Sequence, residues 1–171
     1  MGPISLDIDI DAPRERVFDL ISDLSLRPAW ARELGDEYRL ERLDPSGIGA
    51  AARYRVGAPG GLDYLETVIT RADRPHTIVE HGRGGRADRV ATRTVWELSG
   101  GEGDVTRVRL SFWTEQPSAL RSLLDRRSGR WWRRRWKRAL RGLREALESG
   151  RSLRPAVVVA GGDRQPIDSR P

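Results

Sequence analysis

Three side chains in the middle of the chain have the types and spacing for proton transfer: Tyr64, Glu66 and His81. A glutamate enclosed by apolar groups has a raised pKa and can exchange protons with a bound molecule, while the hydroxyl of Tyr64 or Tyr54 can orient a carbonyl group. This chemistry requires Glu66 to face the protein interior. A solvated outer position for Glu66 and a surface position for His81 stay open as alternatives. Two sets of alternating residues compete for the inner face of this predicted strand: Tyr64, Glu66 and Val68, or Leu65, Thr67 and Ile69.

The two histidines of the chain do not predict a metal site. His76 and His81 are five residues apart, which places them on opposite faces of a regular strand, and Glu80 faces away from His81. We therefore expect no metal, and nothing in the sequence calls for a cofactor.

The densest positive charge of the chain coincides with half of its tryptophans, between residues 118 and 149. At about 100° per residue, this segment predicts an amphipathic helix with an apolar stripe on one side and basic residues on the rest. The leucines upstream of Ser128-Gly129 follow a different register, so we expect a kink or a short interruption there. The stripe consists of Trp132, Trp136, Ala139, Leu140, Leu143 and Leu147.

The net charge of +6 comes from this helix alone. Residues 121–144 contain eleven Arg or Lys and one acid, whereas the rest of the chain has 20 basic and 24 acidic residues. A general polyanion binder spreads its basic charge over a whole face, and no RNP, KH or helix-turn-helix pattern is present, so we do not expect nucleic acid as the partner.

Trp131 points away from the apolar stripe, towards Arg134, Arg135 and Arg138. Either it packs under the upstream segment, or it lies exposed among these arginines and contacts an anionic membrane or an acidic partner.

Composition and the positions of turn residues predict one domain in residues 1–150 and a disordered tail in residues 151–171. The tail is rich in Arg, Ser, Pro, Gly and Asp. The chain contains no cysteine and no apolar run of transmembrane length, so we expect a cytoplasmic protein. The oligomeric state is left open.

The predicted order of elements is strand, two short helices, six strands and the long helix. Ile4, Leu6, Ile8 and Ile10 alternate with polar residues in the first strand. Short links favour antiparallel neighbours, because a parallel connection needs a crossover of a dozen or more residues. The six later strands are predicted at Tyr38–Leu43, Ala50–Val56, Leu62–Thr70, Thr77–Glu80, Arg89–Leu98 and Val105–Thr114.

Seven short strings follow one another along residues 3–149. They are Ile8-Asp9-Ile10-Asp11-Ala12-Pro13, Arg16-Val17-Phe18, Pro28-Ala29-Trp30, Val68-Ile69-Thr70, Asp73-Arg74-Pro75, Thr94-Val95-Trp96-Glu97-Leu98 and Thr106-Arg107-Val108. In their order and spacing, rather than in any single string, they resemble the polyketide cyclase/dehydrase-like branch of the START-related (SRPBCC) superfamily.

This resemblance implies an α+β helix-grip fold, in which a curved seven-stranded antiparallel sheet wraps around the long C-terminal helix. It also implies a cavity between them for an apolar, lipid- or polyketide-like molecule. A cyclase/dehydrase-type enzyme using Glu66, Tyr64 or His81 is the alternative, and docking through the basic helix is another. The residues expected to line the cavity are Trp30, Tyr54, Tyr64, Trp96, Phe112, Trp132, Trp136, Leu140 and Leu143.

Overall fold

A computed structural model describes residues 3–59, 62–85, 88–100, 104–115, 121–150, 152–155 and 158–159. The elements in chain order are β1 (Ile4–Asp11), α1 (Arg14–Ser22), α2 (Arg27–Trp30), a 3₁₀ helix (Arg32–Leu34), β2 (Asp36–Leu40), β3 (Ala51–Ala58), β4 (Leu62–Asp73), β5 (Thr77–Gly84), β6 (Val90–Gly100), β7 (Val105–Glu115), α3 (Arg121–Glu148) and β8 (Val158–Val159).

The strands form one sheet in the order β1-β7-β6-β5-β4-β3-β2-β8. Neighbours from β1 to β2 pair antiparallel, and the two-residue β8 pairs parallel with β2. The predicted helix-grip fold with seven antiparallel strands and a long C-terminal helix is confirmed, and β8 is an eighth strand that the sequence pattern did not indicate.

β8 lies inside the segment predicted to be a disordered tail. Val158 pairs with Arg39 and Val159 with Leu40, so these two residues depart from that prediction. Most of residues 151–171 lies outside the described residues, and for them the tail stays a prediction.

The inner face of the sheet follows the alternation of the sequence. In β3, β6 and β7 one set of alternating residues is buried, and it includes the expected cavity residues Tyr54, Trp96 and Phe112. The ambiguous strand β4 turns Leu65, Thr67 and Ile69 inward. This orientation of the strand buries two aliphatic side chains and a threonine. The opposite orientation would bury the charged carboxylate of Glu66, with no residue of the same strand to pair with it.

α3 is one continuous helix of 28 residues, and the interruption predicted at Ser128-Gly129 is wrong. A glycine inside a helix costs about 1 kcal/mol, which the packing of so long a helix outweighs. The six residues of the predicted stripe are all buried. Gly150 adopts φ of 64°, the left-handed conformation typical of a residue that follows a helix end.

Candidate functional site

The space between the sheet and α3 is filled by aromatic side chains in mutual contact. Trp96 on β6 lies edge to face with Trp30, at 6.1 Å between ring centroids, and with Trp136, at 5.6 Å. Phe112 on β7 lies 4.5 Å from Trp132 and 5.5 Å from Trp136. The sheet, α2 and α3 thus each contribute aromatic rings to one continuous interior cluster.

A buried ion pair lies within this cluster. The Arg27 guanidinium donates from Nη1 to Glu80 Oε2 at 2.6 Å and from Nη2 to Glu80 Oε1 at 2.8 Å. Trp96 Nε1 donates to Glu80 Oε1 at 2.8 Å, and the Thr67 hydroxyl donates to Oε2 at 3.1 Å. Arg27 Nη2 also reaches the carbonyl oxygen of Ile21 at 3.1 Å. Both charged residues are only 2% exposed, so the two charges are compensated within the core rather than by solvent.

The protonation states in this cluster follow from burial and from the pair. Burial opposes ionisation of Glu80, but the charge and hydrogen bonds of Arg27 prevail and lower the pKa of the carboxyl group. Burial likewise opposes the charge of Arg27, and Glu80 nevertheless raises its pKa. Burial raises the pKa of the Tyr38 and Tyr54 hydroxyls. At neutral pH the site therefore holds an ionised carboxylate, a guanidinium cation and two protonated phenols.

Four buried polar atoms of the same cluster have no hydrogen-bond partner among the described residues: Trp30 Nε1, Trp136 Nε1, Tyr38 Oη and Arg27 Nε. Two of these residues are in direct contact, since the Arg27 guanidinium lies 5.7 Å from the Trp30 ring centroid, and Tyr38 stacks on Tyr54 at 5.3 Å between ring centroids. An unpaired buried polar group costs about 1–3 kcal/mol, so most are satisfied in native proteins. Three of the four are N–H donors, so only a group with hydrogen-bond acceptors can pair with them, whereas the Tyr38 hydroxyl can donate or accept.

Eight of the nine residues predicted to line the cavity lie in this interior, each at most 3% exposed. They are Trp30, Tyr54, Trp96, Phe112, Trp132, Trp136, Leu140 and Leu143. Tyr64, the ninth, is on the outer face of the sheet, where its hydroxyl donates to Glu37 Oε2 at 2.8 Å. Its inclusion among the lining residues was therefore wrong.

The three predicted proton-transfer residues do not face the interior. Glu66 and His81 are exposed on the outer face of the sheet, and Tyr64 is half-buried there. The physical reason is the strand period of two, because once Leu65 and Thr67 point inward, Tyr64 and Glu66 must point outward. A carboxylate in this position is solvated, so of the two alternatives left open for Glu66 the structure has the outer one, and Glu66 is not an interior acid or base.

Glu66 and His81 instead line a depression of about 810 Å³ on the outer face. Arg93 and Trp113 line it as well, with the Arg93 guanidinium 5.6 Å from the Trp113 ring centroid. The depression crosses β4 to β7, on the opposite side of the sheet from the aromatic cluster.

The residues predicted to contact a membrane or partner lie at the outer side of α3. Arg134 and Arg138 are exposed. Trp131 is half-buried, and its ring centroid lies 4.9 Å from that of Trp132. The Arg135 guanidinium lies 4.3 Å from the ring centroid of Trp131. Arg135 also donates to the carbonyl oxygen of Glu33. Trp131 and Arg135 are thus engaged with the protein itself, which leaves Arg134 and Arg138 as the freely exposed members of the set.

Sequence reasoning missed the central ion pair. One signal for it was present, because Glu80 has the same parity as Ile78 in its strand and so falls on the apolar face. Arg27 carried a weaker signal, since it stands between Leu24 and Trp30 in a segment that had to pack on the long helix. The two residues are 53 positions apart in the sequence, so only the fold shows that they are in contact.

Two kinds of feature are absent from the described part of the chain: a membrane-spanning helix and a metal-binding cluster. None of its helices is long and apolar enough to cross a membrane. No group of three or more His, Asp or Glu side chains within those residues could hold a metal ion.

Comparisons with known proteins place these features in a family. Residues 1–148 match the family described as polyketide cyclase / dehydrase and lipid transport. No curated protein sequence matches the chain.

Solved structures share the fold at low sequence identity. A START superfamily protein from Mycobacterium smegmatis matches with a TM-score of 0.66 and 13% identity, over 87% of this chain and 99% of that one. Norcoclaurine synthase from Thalictrum flavum, solved with dopamine and hydroxybenzaldehyde, matches with a TM-score of 0.65 and 12% identity, over 88% of each chain. DynU16, a putative protein in the dynemicin biosynthetic locus, matches with a TM-score of 0.59 and 16% identity, over 88% of this chain but only 49% of its own length. Identities this low establish the fold alone.

Proposed function

Because the chain belongs to the polyketide cyclase/dehydrase and lipid transport family, we propose that it binds a lipid- or polyketide-like small molecule between the sheet and α3. The ligand is mainly apolar and carries at least one hydrogen-bond acceptor. The single observation behind this proposal is the set of four unpartnered polar atoms, which includes Trp30 Nε1, Trp136 Nε1 and Tyr38 Oη, inside an otherwise aromatic interior.

Each part of the cluster has a separate role in this proposal. The rings of Trp96, Phe112 and Trp132 provide apolar surface for a planar or polycyclic body. The unpartnered donors bind its oxygen atoms, and Glu80 keeps Arg27 charged and fixed in direction through two hydrogen bonds. Because the eight lining residues are at most 3% exposed, binding requires their side chains to part as the ligand enters.

The protonation states favour binding over acid–base turnover. Glu80 is a weak base, since Arg27 lowers the pKa of its carboxyl group, and Tyr38 and Tyr54 keep their protons because burial raises their pKa. Glu66, Tyr64 and His81 are on the other face of the sheet. The groups that surround the proposed ligand therefore hydrogen-bond to it rather than transfer its protons.

A titration with the neutral fluorophore N-phenyl-1-naphthylamine tests the proposal, and its neutrality avoids attraction to the basic helix. We expect saturable, blue-shifted emission, and native mass spectrometry should detect one bound molecule when the protein is incubated with lipid or polyketide-like extracts. Trp113→Ala on the outer face is the control and should leave the titration unchanged. The absence of saturable binding, together with no retained molecule in native mass spectra, would overturn the proposal.

A matched pair of competitors tests the need for an acceptor. 9-Fluorenone and fluorene share one tricyclic shape, but only the ketone has an acceptor oxygen. One buried hydrogen bond contributes about 0.5–1.5 kcal/mol, so the ketone should displace the fluorophore roughly 2- to 10-fold more tightly. Tyr38→Phe removes one unpartnered hydroxyl without disturbing a hydrogen bond seen among the described residues, and the preference should shrink. Equal displacement by both competitors would contradict the role of the unpartnered donors.

A further inference from the structure

A cleft of about 400 Å³ lies on the surface between α3 and the segment formed by α2 and the 3₁₀ helix. Three arginines line it, Arg32 from the 3₁₀ helix and Arg138 and Arg141 from α3, together with Glu33 and Glu145. Ala29, Trp30 and Gly142 line it as well, so the cleft borders the interior cluster at Trp30. Its three arginines, by contrast, are exposed at the protein surface.

The cleft has a structural cause in Gly142. A Cβ atom at this position would collide with the carbonyl oxygen of Trp30, so the absence of a side chain lets α2 approach α3 directly. On α3, Arg138 and Glu145 lie one turn before and one turn after Gly142, and Arg141 is its neighbour. Arg138, Arg141 and Glu145 therefore surround Gly142, which has no side chain.

The charged side chains that line the cleft have no ionic partner among the described residues. Among the described residues, no side-chain hydrogen bond or ion pair involves Arg32, Arg138, Arg141 or the carboxylates of Glu33 and Glu145. Residues 128–148 of α3 contain eight Arg or Lys and two Glu, so the surrounding field is strongly positive. Such crowding destabilises an isolated helix, because like charges three or four residues apart repel.

We propose that this cleft binds a phosphate-type oxyanion between Arg32, Arg138 and Arg141. Guanidinium groups match phosphate oxygens through paired N–H donors, and three of them from two elements can surround one group. Glu33 and Glu145 reduce the local positive charge, so binding depends on contact with the three arginines rather than on charge alone. The phosphate belongs either to a soluble phosphorylated compound or to the headgroup of an anionic lipid.

Inorganic pyrophosphate is the probe for the first source, measured by calorimetric titration of the full chain at low ionic strength. The cleft variant Arg138→Gln/Arg141→Gln should weaken binding roughly tenfold or more, since charged hydrogen bonds are lost. The control variant Arg133→Gln/Lys137→Gln removes the same charge from the same helix at exposed positions outside the cleft, and should change affinity far less. Circular dichroism and thermal unfolding should show that both variants keep the fold.

Vesicles test the second source. Phosphatidylcholine vesicles with about a third phosphatidylglycerol are compared with pure phosphatidylcholine vesicles by co-sedimentation, at an ionic strength where screening is weak. If the headgroup is the ligand, only the anionic vesicles bind, pyrophosphate competes, and the cleft variant loses binding while the control variant keeps it. Equal losses in the two variants would show a diffuse charge effect and overturn the proposed site, as would no binding of either probe. A failure here would leave interior binding of N-phenyl-1-naphthylamine unaffected, so the two proposals fail separately.

Discussion

The ion pair between Arg27 and Glu80 is expected to be the most sensitive polar contact in the described core. In Arg27→Met the core loses a guanidinium that donates twice to Glu80 and once to the carbonyl oxygen of Ile21. The Glu80 carboxylate would remain buried with only Trp96 and Thr67 as donors. Removing one partner of a buried pair costs about 3–5 kcal/mol, so the free energy of unfolding should fall by about this amount.

The loss should also depend on pH, with a definite sign. In the native protein the pKa of Glu80 is lowered, so its contribution to stability is complete above the pKa of an unfolded glutamate and is lost as pH falls through the folded value. In Arg27→Met, burial acts without a counter-charge and raises the pKa of Glu80. The difference in unfolding free energy between the two proteins should therefore be largest near pH 8 and should shrink towards pH 5.

Urea unfolding followed by tryptophan fluorescence measures both effects. Arg74→Ala serves as the control, since it breaks an ion pair with Asp19 whose side chains are 55% and 57% exposed, and such pairs contribute little. The double variant Arg27→Met/Glu80→Gln removes both charges of the buried pair and should be more stable than Arg27→Met alone. A loss no larger than that of Arg74→Ala, or a loss that does not change with pH, would refute the reasoning.

Three further substitutions test other parts of the structure. Gly142→Ala should destabilise the protein by about 1–3 kcal/mol in urea unfolding, because its Cβ collides with the backbone of Trp30, whereas Gly100→Ala, with nothing near its Cβ, should not. Trp132→Ala should cost about 3–5 kcal/mol, and the same change at half-buried Trp131 should cost clearly less; equal losses would contradict the assigned faces of α3. Glu66→Gln, on the outer face, should leave the fluorophore titration unchanged, and weakened binding would place Glu66 closer to the ligand than the structure does.

Periodicity predicted the elements well where one face was consistently apolar. The stripe of α3 from Trp132 to Leu147 could be read at helical spacing because burial of large side chains outweighs the repulsion of the arginines beside them. β3, β6 and β7 alternate clearly, and the residues predicted to line the cavity from these strands, Tyr54, Trp96 and Phe112, are buried. The resemblance to the family added the wrapping of the sheet around the helix, which no local pattern contains.

The parts that failed depend on contacts distant in sequence. In β4 both sets of alternating residues contain apolar side chains, so the face was decided by what lies opposite, with Leu65 and Ile69 joining the core. Glu80 pairs with Arg27 because the fold places α2 next to β5. The local sequence around a single glutamate in a strand does not indicate which residue will lie opposite it. β8 is only two residues long. A segment this short shows no alternation in the sequence from which a strand pairing parallel with β2 could be predicted.

Two-dimensional ¹H–¹⁵N NMR of the indole N–H groups is the most direct test of interior binding. Trp30 Nε1 and Trp136 Nε1 have no partner among the described residues, Trp96 Nε1 is held by Glu80, and Trp113 lies on the outer face of the sheet. Titration with 9-fluorenone should shift the Trp30 and Trp136 signals in a saturable way and leave Trp113 in place. If only Trp113 shifts, or if no indole signal shifts while the ligand is bound, the ligand does not lie between the sheet and α3.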